Sequence, residues 1–367
     1  MNSLDRFPRR IRAIGPACIL GWLFTIASGG DFADLARRHA PEVYVTQRVQ
    51  HGVALFTVGE GRNRAYVFLP QDPAPLAAPL VFFHHGWLGM NPGNFGGLID
   101  LLVRRGATVV YPVYQDGDRT APQAVTALAA RADAAALHAI DQRFPGLVDA
   151  KKTLYYGYSM GAAIALNLAL DPARYGLPAP KALMLVAPGD AHHVARGANA
   201  ASIYGKVESL SEDLPTVLVT GAADTSIGVP TAKALAKRLC PSRRARRVLI
   251  VLPSDSDGGS RIQAGHGSPG APDSRYNFPD PHAAIPSRIP PRDGIEPSAS
   301  LNVLDYYGYW RIATRLLDYV GGKEFPSELF SDNPENRFLG LWPSGRPYAN
   351  AQIEAPCVGG TAYRSRF

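Results

Sequence analysis

Lys152-Thr-Leu-Tyr-Tyr-Gly157-Tyr158-Ser159-Met160-Gly161-Ala-Ala-Ile-Ala-Leu166 begins as an aromatic, β-branched run and ends as a helical one, with a serine between two glycines at the change. A Gly-x-Ser-x-Gly turn from strand into helix strains the serine backbone, exposes its hydroxyl and sets a helix N-terminus beneath it. That geometry suits a nucleophile, and Ser159 is the leading candidate. Ala162, Ala163 and Ala165 keep the helix start thin, so that it can pack close to a sheet.

Working outward, apolar runs alternate with helical patterns. Residues 43–69 read as two or three strands with a turn at Gly59-Glu-Gly61, an antiparallel meander. Pro79–His84 and Ala107–Pro112 read as short buried strands. An Ala-rich helix is expected over 121–144, with Thr120 as its cap and Pro122 in its first turn. Past the serine helix (160–170) come strands at 181–186, 215–220 and 247–252, a helix at 229–240, and an amphipathic helix at 303–320 stopped by Gly321-Gly322. Continuous apolar runs separated by helices predict a mostly parallel central sheet with helices on both faces, an α/β domain over 30–322. Residues 188–214 form a short cap-like insertion, 253–300 a long Pro/Gly/Ser-rich loop, and 323–367 a C-terminal extension. Phe325, Phe330, Phe338, Leu341 and Trp342 in that extension either cover part of the site or pack on the body.

In such sheets, chemistry collects at the carboxyl ends of the strands. An acid is therefore sought after the 215–220 strand, where Gly221-Ala-Ala-Asp224 stands; Asp190 is the fallback, and a capping role is the structural alternative for Asp224. A base is sought after 247–252. His266 in Ala264-Gly-His-Gly-Ser-Pro269 comes first, flanked by glycines, with His282 the alternative. Negative charge developing on an attacked acyl oxygen needs preorganised donors. These are the backbone amide of Met160 and that of Trp87 in His84-His85-Gly86-Trp87, with His85, Gly86 and Tyr158 expected around the substrate. Neither His84-His85 nor His192-His193 has the i, i+4 spacing of a helical zinc pair, and no glycine-rich phosphate or dinucleotide loop appears, so no metal or cofactor is expected.

Composition sets bounds. With 46 % hydrophobic residues over 367, the chain can bury one large core or two modest ones. Its net charge of +7 is partly carried by Arg6, Arg9, Arg10 and Arg12. The run Arg243-Arg244-Ala-Arg246-Arg247 lacks interleaved aromatics and reads as a solvated face rather than a nucleic-acid site. A basic segment, then an uncharged run from Ala13 to Gly30, then Ala27-Ser-Gly29, reads as an export signal over 1–29. Export to the periplasm or medium, with no stable membrane span after signal removal, is the expectation. Of the cysteines, Cys240 and Cys357 lie beyond that segment and either pair or remain thiols.

Taken together, His85-Gly86-Trp87, Gly157-Tyr-Ser-Met-Gly161, and Gly221-Ala-Ala-Asp224 followed by His266 resemble the α/β-hydrolase superfamily over roughly residues 43–320. Within it the chain looks most like the exported bacterial esterase, lipase and dienelactone-hydrolase-like groups. The resemblance implies acyl transfer through Ser159, with His266 and Asp224 as partners, on a small or polymeric ester. Peptide or amide cleavage, or acyl transfer to an acceptor other than water, would use the same residues. A serine at 159 departs from the cysteine of dienelactone hydrolases proper and from the aspartate of dehalogenases.

Overall fold

The computed structural model describes residues 12–14 (backbone), 51–72, 74–193, 201–278 and 299–357. Its frame is a ten-stranded mixed sheet. The strands are β1 (Arg12–Ile14), β2 (Gly52–Val58), β3 (Arg64–Gln71), β4 (Ala78–His84), β5 (Thr108–Val113), β6 (Val148–Tyr158), β7 (Ala182–Val186), β8 (Thr216–Gly221) and β9 (Arg247–Leu252). A small separate hairpin, β10 (Asp255–Asp257) and β11 (Ser260–Ile262), precedes the last sheet strand, β12 (Gln352–Glu354). Across the sheet the order is β1-β2-β3-β5-β4-β6-β7-β8-β9-β12. The central six, from β5 to β9, run parallel; β3 meets β5 antiparallel, β2 meets β3 antiparallel, and β12 closes the far edge antiparallel to β9. Of the meander expected over 43–69, the antiparallel β2–β3 hairpin is present, and residues 43–50 lie outside the described residues.

Both faces are buried, and the period-two alternation of a strand sorts side chains between them. Val81 and Phe83 of β4, Leu154 and Tyr156 of β6, and Met184 and Val186 of β7 face one apolar layer, with α1 (Gly96–Arg104) and α5 (Arg311–Val320). Leu80 and Phe82, Tyr155, and Leu183 and Leu185 face the other, with α2 (Val125–Arg143), α3 (Met160–Leu170) and α4 (Val229–Arg238). Each fully buried large side chain contributes about 1.5–3 kcal/mol. Phe83 is central: its ring lies 4.2 Å from that of Tyr156 and 5.2 Å from Phe95.

The structure revises several local expectations. α2 starts at Val125 after a short 3-10 turn, and Thr120 does not cap it; its hydroxyl donates to Asp116 Oδ1 at 2.9 Å and closes the preceding loop. The 303–320 helix begins as a π-helical stretch, Leu304–Trp310, before α5. The Pro/Gly/Ser-rich loop contains β10 and β11, turned at Gly258-Gly259, where both residues have positive φ. The extension holds a four-residue helix, α6 (Pro334–Arg337), and β12; Phe338 and Trp342 are buried, and Trp342 Nε1 donates to Asp255 at 2.9 Å. Cys240 and Cys357 form a disulfide across a sequence separation of 117. Of the segment read as an export signal, only Arg12–Ile14 is described, paired with Val53–Leu55; the rest lies outside the described residues. Among the described residues, no helix is long and apolar enough to cross a membrane.

Candidate active site

Ser159 sits between β6 and α3 with φ 54° and ψ −123°, a backbone conformation that a serine adopts only when its surroundings impose it. The imposition is steric. A side chain at Gly161 would drive into the backbone carbonyls of His84 and His85, and one at Gly157 into the first turn of α3. The strand end and helix start therefore meet closely, and the serine takes the remaining path. Its own amide donates to Val186 at 2.8 Å, and its carbonyl accepts from Gly189 at 3.0 Å and Ala162 at 2.9 Å. The residue is 6 % exposed.

His266 follows β9 and β10–β11, and Asp224 follows β8. His266 Nε2 lies 3.0 Å from Ser159 Oγ, and His266 Nδ1 lies 2.9 Å from Asp224 Oδ2. An ionised carboxylate beside Nδ1 requires a proton on that nitrogen, so Nε2 is left to accept the serine hydroxyl proton. Asp224 Oδ1 is separately held by the amides of Ser226 and Ile227, both at 2.9 Å. Burial pushes the Asp224 carboxyl up, but the hydrogen bond and charge of His266 and those two amides outweigh it and hold it below its ordinary value. The carboxylate is therefore ionised at neutral pH, while 24 % of the His266 side chain remains accessible.

The loop bearing His266 is fixed from several sides. Ala264 lies against the end of β8, its carbonyl accepting from Ala223 at 2.9 Å. Tyr158 OH donates to the His266 carbonyl at 2.8 Å, and its ring lies 5.2 Å from the imidazole. Ser268 and Tyr309 share a buried hydroxyl–hydroxyl bond of 2.7 Å.

Opposite, the loop after β4 presses on the serine. A Cβ at Gly86 would be 3.0 Å from Ser159 Cβ, and one at Gly189 would be 3.3 Å from Ser159 Oγ, so a side chain at either position would crowd the serine. Among the described residues, neither the Trp87 nor the Met160 amide donates a hydrogen bond within the protein. Met160 directly follows Ser159, and Trp87 directly follows Gly86, which lies against the serine side chain. His85 lies elsewhere than at a substrate surface: its ring is fully buried, stacked 4.0 Å from Tyr114, with Nδ1 donating to the Gly86 carbonyl at 2.6 Å. It shapes the loop from behind.

Asp190 stands apart from this line. Its Oδ1 accepts from Ala191 at 2.6 Å and Ile203 at 2.8 Å, tying the cap-like segment together. His282 lies outside the described residues. Among the described residues, no group of three or more His, Cys, Asp or Glu is arranged to hold a metal ion. Sequence reasoning passed over the groups that brace the loop after β4. His84 Nε2 pairs with Asp133 of α2 at 2.9 Å, both wholly buried, and Tyr111, Tyr114 and Gln115 reach across from the end of β5. The one available signal was Tyr111-Pro-Val-Tyr-Gln115, polar-tipped side chains closing an otherwise apolar strand. Compared with known proteins, the chain matches no protein-family model and no curated protein.

Proposed function

We propose that this chain is a serine carboxylic-ester hydrolase with an α/β-hydrolase fold, working through Ser159, His266 and Asp224. One observation carries the reading. A continuous hydrogen-bond line from an ionised Asp224 through His266 ends on a strained serine hydroxyl, beside two unengaged backbone amides. The strand order and the location of each group at the carboxyl end of a parallel strand support the fold assignment.

In this reaction Ser159 Oγ forms a bond to the ester carbonyl carbon as its proton passes to His266 Nε2. The carbonyl electron pair moves onto oxygen, and the Trp87 and Met160 amides meet the charge. Asp224 stabilises the imidazolium. The tetrahedral species collapses, the C–O bond to the alcohol breaks, and His266 gives its proton to the leaving oxygen. Water repeats the sequence on the acyl-enzyme, releasing the acid and restoring the serine.

The test is fluorophosphonate labelling with peptide mapping, followed by turnover of p-nitrophenyl esters of increasing acyl length. Labelling at Ser159, with ester but no aminopeptidase turnover, is the expected result. A folded protein that labels elsewhere, or nowhere, refutes the proposal. Export through residues 1–29 belongs to the same proposal and is supported by the Cys240–Cys357 disulfide, which persists in oxidising compartments. Sequencing the N-terminus of the mature protein tests it.

A further inference from the structure

Residues Gly86–Gly89 make a tight turn, in which the Gly89 amide donates to the Gly86 carbonyl at 3.0 Å. Leu88, at its third position, has φ 61°, while Trp87 before it does not share the positive value. The turn therefore belongs to type II, whose third position ordinarily requires glycine. A leucine there stays left-handed only if something outside the turn holds it.

That support is visible. Gln115, just past β5 and 1 % exposed, accepts the Leu88 amide on Oε1 at 2.9 Å. The chemistry fixes the orientation of its amide group, since only the oxygen can accept an N–H. Its Nε2 is buried and has no partner among the described residues. A side chain present only to fill that space would be apolar, because an unpaired buried amide is a cost that packing does not require.

What Gln115 holds bears on the chemistry. The turn's closing bond falls on the Gly86 carbonyl, and in a trans peptide that carbonyl points opposite to the Trp87 N–H. Fixing one therefore aims the other. Without its acceptor, Leu88 relaxes to negative φ and the turn opens; the Gly86 carbonyl then keeps only its bond from His85 Nδ1 and loses the Gly89 amide, and the Trp87 donor in the same peptide loses part of its preset direction.

We propose that Gln115 is a positioning residue for the oxyanion donor at Trp87, acting through the left-handed Leu88; this rests on the serine-hydrolase reading above. The experiment is a cycle of Gln115→Met, Leu88→Gly and the double variant in the full chain. It is read by kcat, by KM and by affinity for an alkylboronic acid, which forms a tetrahedral adduct on the serine. Gln115→Met should lower kcat ~10- to 100-fold, less than deleting a donor outright, with KM within about twofold and boronate affinity falling in step. Since glycine holds positive φ unaided, Gln115→Met should cost little in the Leu88→Gly background. Gln115→Glu, which keeps an acceptor oxygen, should lose less than Gln115→Met. Unchanged kcat, a loss confined to KM, or an equal loss in the Leu88→Gly background overturns the proposal. Should Gln115→Met fail to fold, the cycle is run with Gln115→Leu. Wild-type protein that does not label at Ser159 refutes the hydrolase reading instead, so the two failures are told apart.

Discussion

Replacing His85 by phenylalanine should remove an acid sensitivity built into the loop after β4. The His85 ring is fully buried, stacked between Tyr114 and Tyr111 at 4.0 and 5.3 Å, and its Nε2 has no partner among the described residues. Burial, with a smaller contribution from neighbouring His84, pulls its pKa down to about 3 despite the opposing pull of the Gly86 carbonyl. The unfolded chain takes up this proton near the ordinary value of about 6.5, and the folded chain does not. Stability from this group is thus fully present above about 6.5 and falls with pH until about 3. At pH 5 the loss is about 2 kcal/mol, one and a half pKa units at about 1.4 kcal/mol each. Phenylalanine keeps the stacked ring and cannot titrate, although it forfeits the bond to Gly86 at every pH, about 1 kcal/mol. Urea unfolding of both proteins at pH 7.5, 6.5 and 5 should show the wild type losing about 2 kcal/mol relative to the variant across that range. The buried carboxyls Asp133 and Asp305, both pushed up by burial, tilt the absolute curves the other way but are common to both proteins. Parallel curves would refute the reasoning.

Asp224→Asn should lower kcat on a short p-nitrophenyl ester by roughly 10³–10⁴ with little change in KM, since an amide favours the wrong imidazole tautomer; a loss confined to KM would argue against the assigned role. His266→Ala should abolish turnover while His282→Ala keeps most of it, and steady-state assays giving the reverse would move the base. Removing the Cys240–Cys357 link by paired serine substitution releases a loop of 117 residues, worth about 5 kcal/mol by chain entropy; an unchanged urea midpoint would contradict that account. Gly161→Ala has no room against the His84 and His85 backbone and should cost more than about 4 kcal/mol, read as loss of soluble protein; a variant with native thermal stability would show that the strand end and helix start are not in contact as described.

The parallel strands were legible because their buried faces leave continuous apolar runs: 247–252 and the helix at 160–170 carry the same bounds in sequence and structure. The line of Ser159, Asp224 and His266 could be proposed from chain order, since Ser159 and Asp224 stand just past a strand and His266 is the first histidine after the next strand. The short elements left weaker traces. β10 and β11 are three residues each, partly exposed, and so lack an apolar pattern; β12 is likewise three residues, paired to the β9 edge a few positions before the disulfide at Cys357. Thr120 looked like a cap because its residue type suits one, but Asp116 competes for its hydroxyl. Gln115 and Asp133 were invisible for a different reason. Their roles lie in partners 27 and 49 residues away; the polar-tipped run ending at Gln115 hints that this strand end does something, but not which partner it holds.

The disulfide between Cys240 and Cys357 also makes a covalent ring of the chain that contains β9, His266 and α5. A protease that cuts the backbone once anywhere between those cysteines opens the ring without releasing a fragment. Both pieces stay on one molecule, and His266 remains tethered to the part that carries Ser159 and Asp224. Nicked protein would run as a single species until reductant is added, then separate into two. For a chain whose proposed base sits on a long excursion between strands, that linkage turns a severing event into a local scar.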